Sequence, residues 1–312
     1  MVALNVKPPR VWEPGRSLRP RLFALAKRAL GTRRAIPRCI PGALRLCSVS
    51  YRALKPKGVV PVRVRDLTLY VDAADEFIAT ELLAYGRYET AETDVFGRLL
   101  RPGMVVVDIG AHVGYYALMA AGPVAPEGCV YAFEPDPHNY ALLTANVDVN
   151  RTPNTVCVPK AVSSRSGRVT LFLDRNNQGA HTLAEANIET APGGRVEIDA
   201  LSLDEFFRGR RVDLIKMDVQ GAEGLVIDGA SGLLEQHGPT ILMEFWPGGL
   251  RRMGTDPGAL LATLLGHGYS IRVVEEGLGA VADAPNTVVD LAERRRYVNL
   301  LLQRPGRPGG QR

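Results

Sequence analysis

The chain has 312 residues, of which 46% are hydrophobic, so it can bury one large α/β core without disulfides or metal ions. No apolar stretch approaches the roughly 20 residues of a membrane-spanning helix, and the four cysteines lack the spacing of zinc ligands. We therefore expect a cytoplasmic protein with reduced thiols at Cys39, Cys47, Cys129 and Cys157.

The net charge of +5 is unevenly distributed, because Glu13 is the only acidic residue among the first 57. We predict a basic arm at 1–57, partly helical or disordered, ahead of one catalytic-sized domain at 58–312. Within the arm, residues 22–30 have helical amphipathic spacing, which is compatible with peripheral contact to the anionic inner face of a membrane. A helix packed on the domain, a disordered leader and an organellar presequence are the alternatives.

Alternating apolar residues at 59–71, interrupted at Asp66, predict a β-hairpin. A helix capped by Asp72 or Asp75 is predicted at 75–85, and a second helix at 91–100. We expect these elements to form a cap ahead of the main sheet.

The run Val105, Val106 and Val107 is typical of a strand buried on both faces, which we expect to end at Asp108. Gly110 and Gly114 follow and predict a turn into a helix at 115–121. A strand, a glycine turn and a helix N-terminus form a place where a small ligand can approach the backbone.

The remaining chain alternates strands with helices, which predicts a doubly wound α/β sheet. An insertion at 168–198, with a polar segment at 176–183, is predicted as a hairpin layer facing the substrate. The predicted strands are 129–133, 155–158, 212–217, 240–245, 269–274 and 297–302, and the predicted helices are 139–149, 222–234 and 257–265.

Ligands of such sheets bind at the carboxyl ends of the strands, where Asp108, Glu134, Asp218 and Glu244 are expected to meet. Glu134 is placed to accept hydrogen bonds from two ribose hydroxyls. The Asp-x-Gly-x-x-x-Gly turn is a poor pyrophosphate cradle, and no triphosphate loop is present. S-adenosylmethionine fits this pattern, although Asp108 as a helix cap and Glu134 as an ordinary strand-end acid are the structural alternatives.

Several segments together resemble the FkbM family of S-adenosylmethionine-dependent methyltransferases. They are Asp108-Ile-Gly-Ala-His-Val-Gly-Tyr-Tyr, Phe133-Glu-Pro, Ala161-Val-Ser, Ile215-Lys-Met-Asp-Val-Gln-Gly-Ala-Glu223, Tyr88-Glu89 and Leu242-Met-Glu244. The resemblance implies a class I, Rossmann-like fold with a seven-stranded, mainly parallel sheet and helices on both faces. It also implies methyl transfer to a hydroxyl of a sugar, glycolipid or polyketide-type metabolite.

Residue by residue, the resemblance and the strand-end positions assign cofactor binding to eight residues. The set is Glu89, Asp108, Gly110, His112, Gly114, Glu134, Ala161 and Asp218. His112 stands where the family often has Asn, and Gln220 stands where it often has an acidic residue. Both departures leave the contacts near the methyl group open.

An aliphatic hydroxyl needs a base as its bond forms, and Asp218 is the first candidate, followed by His181. A turn contact for Asp218 and an exposed loop position for His181 are the alternatives. We expect Glu223, Glu244 and Trp246 to bind substrate, with helix-dipole, orienting and core roles as alternatives. Asp218, Glu223 and Glu244 could also gather a divalent ion, but we expect no metal requirement.

Two other functions fit parts of the sequence. The basic arm is compatible with a nucleic-acid methyltransferase, but it lacks interleaved aromatic residues, and no Asn-Pro-Pro-Tyr-like motif follows the fourth strand. A noncatalytic cofactor-binding module tethered by the arm is the other alternative. The sequence does not indicate an oligomeric state.

Overall fold

The structure is a computed structural model, and it describes residues 55–275, 277–281 and 284–304. The amphipathic segment of the basic arm lies outside these residues, as do Cys39 and Cys47. The chain divides after Tyr88 into two compact units, Met1–Tyr88 and Glu89–Arg312. The arm's limit at residue 57 and the cap ahead of the sheet stay predictions.

The described part of the first unit contains a hairpin and one helix. β1 (Val59–Val64) pairs antiparallel with β2 (Leu67–Asp72), and the turn lies at the predicted position. Helix α1 (Ile78–Tyr85) begins three residues later than predicted. The Asp75 carboxylate accepts hydrogen bonds from the amides of Phe77 and Ala79, so it stabilises the start of this helix.

The second unit alternates strands and helices, as the sequence pattern predicts. Its helices among the described residues are α2 (Thr90–Leu99), α3 (Tyr115–Val124), α4 (Pro137–Asn150), α5 (Leu203–Phe207), α6 (Glu223–Asp228), α7 (Ser231–His237), α8 (Pro247–Arg252), α9 (Pro257–Gly266) and α10 (Pro285–Arg295). Its strands are β3 (Val105–Ile109), β4 (Cys129–Phe133), β5 (Thr155–Val158), β6 (Ala161–Val162), β7 (Gly167–Asp174), β8 (Pro192–Leu201), β9 (Leu214–Met217), β10 (Thr240–Phe245), β11 (Ser270–Glu275), β12 (Gly277–Val281) and β13 (Val298–Gln303).

The main sheet has the order β12-β11-β13-β10-β9-β3-β4-β5 in the part of the chain that the structure describes. Neighbouring strands among β5, β4, β3, β9 and β10 pair in parallel, and β13 runs antiparallel to β10. The class I, mainly parallel sheet is therefore confirmed, with β12 as an eighth strand at the edge beside β11.

The predicted hairpin layer forms a separate small sheet with the order β6-β8-β7. β7 and β8 pair antiparallel over most of their length, from Gly167 opposite Ala200 to Leu173 opposite Gly194. The polar segment between them includes two short 3₁₀ turns, Gln178–Ala180 and Glu185–Asn187.

One face of the main sheet forms a continuous apolar core. Its strand residues alternate along β3, β9 and β10, and helices α5 to α10 contribute residues to the same cluster. Helix α3 packs against β3 and β4. Because both faces are covered, the parallel strands are apolar throughout, except at a few positions that carry buried charge.

Two element predictions need correction. β3 continues through Asp108 to Ile109, because both residues pair with β4 and β9. The predicted helix at 222–234 is two helices, α6 and α7, which are separated at Gly229. The Gly229 carbonyl accepts from the Asp204 amide, and the Asp204 carboxylate accepts from the amides of Gly232 and Leu233, so a new helix begins there.

Among the described residues, no helix has both the length and the hydropathy to cross a membrane. Cys129 and Cys157 are free thiols in the structure.

Candidate active site

The turn after β3 is shaped by the neighbouring strand. Gly110 has φ +77°, and its amide donates to the Phe133 carbonyl at 3.0 Å. A Cβ built on Gly110 would lie 2.1 Å from the backbone oxygen of Asp218. Gly110 therefore allows the turn to pass the end of β9. Gly114 has φ +89°, and a Cβ there would lie 2.7 Å from Leu143.

Glu134 lies just beyond β4 and is held by two backbone amides. Its Oε2 accepts from the His112 amide at 2.8 Å, and its Oε1 accepts from the Asp136 amide at 2.9 Å. Only 4% of the residue is exposed. Burial raises the pKa of Glu134 to about 8, although the two amides act in the opposite direction. The carboxyl is thus fixed in orientation at the end of the strand.

Glu134 borders a pocket at the carboxyl ends of β3, β4 and β9, here called the strand-end pocket. Its volume is about 560 Å³, including solvent at the mouth. The floor and walls are mostly apolar, and the hairpin layer covers one side. The lining residues are Ile109, Gly110, His112, Phe133, Glu134, Pro135, Lys160, Ala161, Val162, Leu171, Gln178, Gly179, His181, Thr182, Leu183, Asp218, Val219 and Ala222.

Two histidines line the strand-end pocket and differ in their hydrogen bonding. His112 has φ +51°, and neither of its buried ring nitrogens has a hydrogen-bond partner among the described residues. Burial lowers the pKa of His112 to about 4, and His181 acts in the same direction. The Nδ1 of His181 accepts from the Asp174 amide at 3.0 Å, so the lone pair of this nitrogen is already engaged. This arrangement favours Asp218 over His181 as a base.

Asp218 is bridged to Glu244 by a side chain that the sequence argument left open. The amide nitrogen Nε2 of Gln220 donates to Oδ1 of Asp218 at 2.6 Å and to Oε1 of Glu244 at 3.3 Å. Burial raises the pKa of Glu244 well above its ordinary value, and Asp218 adds to this effect. The two carboxyls thus form one linked group beside the pocket.

Glu223 and Trp246 do not line the strand-end pocket. Glu223 is fully buried, and its Oε1 accepts from the amides of Val219 and Gly221. Burial raises the pKa of Glu223 to about 7. Trp246 is 5% exposed, and the guanidinium of Arg252 lies 5.1 Å from its ring centroid. Glu223 therefore shapes the loop after β9, while Trp246 packs beneath arginine.

A buried charged cluster occupies the face of the main sheet opposite the apolar core. Lys216 of β9 is 2% exposed, and its Nζ lies 3.0 Å from Oε1 of Glu92 and 4.9 Å from the ring centroid of Tyr116. The Tyr116 hydroxyl donates to Glu89 at 2.9 Å. Asp108 lies opposite Lys216 in the sheet register, and its Oδ2 has no hydrogen-bond partner among the described residues.

The electrostatics of this cluster follow from its burial. Burial raises the pKa of Glu89 to about 8, and Glu92 adds to the shift. Burial also raises the pKa of Asp108 to about 7, while Lys216 opposes it. The neighbouring carboxylates Glu92, Asp218 and Glu89 raise the pKa of Lys216 against the effect of burial. Lys216 is thus a permanent positive charge among several carboxyls.

The structure brings six of the predicted site residues into the strand-end pocket: Gly110, His112, Glu134, Ala161, His181 and Asp218. Gly114 packs against Leu143, and Asp108 and Glu89 belong to the charged cluster. Lys216 was not among the predicted site residues, and Gln220 was singled out only as a departure from the family pattern, without a role. The signal for Lys216 was a charged residue inside an otherwise apolar strand, and the signal for Gln220 was a polar residue next to Gly221.

A match to a protein-family model identifies the chain as a methyltransferase. The model of the methyltransferase FkbM domain matches residues 108–271, which include the glycine turn, Glu134 and Asp218. The chain belongs to the FkbM methyltransferase family. The assignment confirms the predicted family and supports S-adenosylmethionine as the cofactor.

Individual relatives of this FkbM family chain have modest sequence identity to it. The methyltransferase sdnD of Sordaria araneosa is 30% identical over 47% of this chain and 68% of the relative. The 31-O-demethyl-FK506 methyltransferase FkbM of Streptomyces tacrolimicus is 26% identical over 58% of this chain and 78% of the relative. The hexuronic acid methyltransferase AglP of Haloferax volcanii is 28% identical over 46% of this chain and 58% of the relative.

Proposed function

We propose that this chain is an S-adenosylmethionine-dependent O-methyltransferase. Its acceptor is a hydroxyl of a sugar, glycolipid or polyketide-type metabolite. The observation that carries the proposal is Glu134, whose two oxygens are oriented by the amides of His112 and Asp136 at the edge of the strand-end pocket.

The residues of the pocket fit an adenosine cofactor. Glu134 offers a carboxyl to two neighbouring ribose hydroxyls, as carboxylates of strand ends do in this class of sheet. Phe133, Ala161, Val162 and Leu183 provide apolar walls for a flat base. The unpartnered ring nitrogens of His112 add polar contacts for the bound cofactor. These pocket residues thus support a ligand that has a ribose and a flat, largely apolar base.

The remaining chemistry is positioning and proton transfer. S-adenosylmethionine supplies a methyl group that is already activated on a sulfonium sulfur. With the cofactor held beside Glu134, Asp218 would accept the proton of the acceptor hydroxyl as the methyl group passes to the hydroxyl oxygen and a neutral thioether is left. Asp218 suits this role because it lines the pocket and accepts a hydrogen bond from Gln220. Holding the acceptor in line contributes several kcal/mol, on the order of what positioning supplies elsewhere.

The functions of two relatives support an acceptor of this class. The Streptomyces relative is a methyltransferase of 31-O-demethyl-FK506, and the Haloferax relative is a hexuronic acid methyltransferase. Their similarity to this chain is modest, so they support the acceptor class without singling out one acceptor. We therefore propose the class of hydroxyl acceptor rather than a single compound.

The first test is cofactor binding by calorimetry with Glu134→Gln. The variant keeps the shape of the side chain but removes an ionisable acceptor, so we expect S-adenosylmethionine affinity to fall about 10- to 100-fold. Glu127→Gln is the matched control, because Glu127 is exposed and lies outside the pocket. Unchanged affinity in the Glu134 variant would contradict the placement of the ribose.

The second test is transfer of a labelled methyl group to a panel of sugars, glycolipids and polyketides, with products identified by mass spectrometry. We expect a product with one added O-methyl group, and we expect Asp218→Asn to lower kcat at least about 100-fold, the usual effect of losing a general base. An N- or C-methylated product, or a fully active Asp218 variant, would contradict the proposal.

A further inference from the structure

Gln220 lies in the loop after β9 and has an unusual backbone conformation. Its φ is +53°, in the left-handed region that residues with a side chain rarely adopt. Neighbouring Gly221 also has a positive φ of +98°, and a Cβ there would lie 2.6 Å from Nδ2 of Asn187. The loop is therefore tightly confined on the side of the hairpin layer.

Two side chains of the hairpin layer hold Gln220 in this conformation. Oγ1 of Thr182 and Nδ2 of Asn187 both donate to the Gln220 carbonyl, at 3.0 Å and 2.9 Å. Asn187 also donates to the Gly249 carbonyl at 3.3 Å. The backbone of Gln220 is thus fixed from outside the loop, which directs its side chain towards the two carboxyls.

The ionisable groups around Asp218 and Glu244 are mostly acidic. Glu89 and Glu92 of α2, Glu223 of α6 and Asp108 of β3 act electrostatically on Asp218, Glu244 or Lys216, and His112 and His181 line the pocket beside Asp218. The pKa of Tyr297 is raised to about 12 by burial, Glu244, Glu89, Asp218 and Glu92. The Gln220 amide is an uncharged donor to both Asp218 and Glu244 within this acidic group.

We propose that Gln220 is a positioning residue for Asp218. Its amide fixes the Asp218 carboxyl in the orientation that receives the acceptor's proton, and it keeps Asp218 and Glu244 from repelling each other. This inference rests on the proposed methyl transfer. Gln220 acts through Asp218 and needs no contact of its own with the acceptor.

The test compares the affinities of S-adenosylmethionine, which carries a positive sulfonium, and S-adenosylhomocysteine, which is neutral at sulfur. Calorimetry from pH 5 to 9 needs no acceptor. In the wild-type protein we expect the preference for the charged ligand to rise with pH as Glu244 ionises, because its pKa is raised well above the ordinary value and Gln220 links it to Asp218. The pH at the midpoint of this rise reports the charge on the carboxyl pair that Gln220 bridges.

Two substitutions separate positioning from a structural role. Gln220→Met removes the donor without adding charge, and Gln220→Glu adds a third carboxyl, so both should move the midpoint upwards, Gln220→Glu by roughly one pH unit or more. Gln236→Glu is the control, because Gln236 is exposed on α7 and adds the same charge away from the pocket. Its midpoint should match that of the wild-type protein.

Thr182→Val provides a variant with nearly the same shape that removes one bond to the Gln220 carbonyl. It should move the midpoint in the same direction by a smaller amount. Midpoints that agree within about 0.3 unit among folded variants and wild type would overturn the inference, as would a pH-independent preference in the wild type. Failure of the wild-type protein to bind either ligand would instead overturn the proposed function, on which the inference rests.

Discussion

Lys216 is a charged residue that is buried inside an otherwise apolar strand. It lies in β9 between Ile215 and Met217 and is as buried as they are. Its partner Glu92 comes from α2, more than a hundred residues earlier. A strand pattern indicates that position 216 is buried, but it does not indicate which carboxylate balances the charge.

We predict that Lys216→Met lowers the free energy of unfolding by about 3 kcal/mol or more, because it leaves Glu92 buried without its cation. Chemical denaturation measures this change, and Lys57→Met, at an exposed position, serves as the control. The double variant Lys216→Met/Glu92→Gln should recover part of the loss. A loss below about 1 kcal/mol for Lys216→Met would contradict a buried ion pair of this kind.

The position of Glu134 was predicted from the sequence, but its hydrogen-bond partners were not. Its position after an apolar strand indicated a strand-end acid, and the structure places it at the pocket. The two amides that orient it come from His112 and Asp136. The His112 amide lies in a turn after a different strand, so only the pairing of β3 with β4 brings it to Glu134.

At the scale of elements, the turn between β3 and α3 was predicted correctly, but for an incomplete reason. From the sequence, Gly110 is expected to let a ligand approach the backbone. The structure adds that the backbone of Asp218 occupies the place of a side chain at Gly110. The turn is thus constrained by β9, which neighbours β3 although it follows it by about a hundred residues.

We predict that Gly110→Ala destabilises the protein by about 2 kcal/mol or more, since it combines a positive φ with a backbone clash at 2.1 Å. Gly97→Ala is the matched control. Gly97 lies in α2 with no atom within 4 Å of a built Cβ, so alanine should stabilise the helix by up to about 1 kcal/mol. Thermal unfolding of both variants checks the prediction, and similar melting temperatures would contradict it.

The break between α6 and α7 illustrates the limit of helical periodicity. Apolar residues continue at helical spacing across Gly229, so one helix was predicted. Contacts from outside the segment end α6: a Cβ at Gly229 would lie 2.2 Å from the Ser163 carbonyl, and Asp204 provides the hydrogen-bond acceptor that starts α7. These contacts join residues that are distant in sequence.

For the whole molecule, buried carboxyls dominate the response to pH. Five of those in the described part of the chain have raised pKa values, mainly because of burial: Glu89 and Glu134 at about 8, Asp108 and Glu223 at about 7, and Glu244 well above its ordinary value. The unfolded chain releases these protons near pH 4 to 5, at roughly the values of free side chains. Between about pH 5 and 8 the folded protein therefore binds more protons than the unfolded chain.

We predict that stability falls as pH rises from 5 to 8 in the ligand-free protein. His112 opposes this trend between about pH 4 and 6.5, because its lowered pKa leaves it neutral in the folded protein, but it accounts for one proton against five carboxyls. Melting temperatures at constant ionic strength from pH 5 to 8 test the prediction. A melting temperature that increases over this interval would contradict it.

The sequence by itself determined the fold class, most strand and helix positions, the family and the residues at the strand ends. These features depend on local patterns: apolar runs, alternation, glycine turns and an ordered set of short motifs. The tertiary structure alone decided that Gln220 bridges Asp218 and Glu244, that Lys216 balances Glu92, and that Trp246 lies under Arg252. Such contacts join distant segments, and their geometry depends on the order and register of the strands in the sheet.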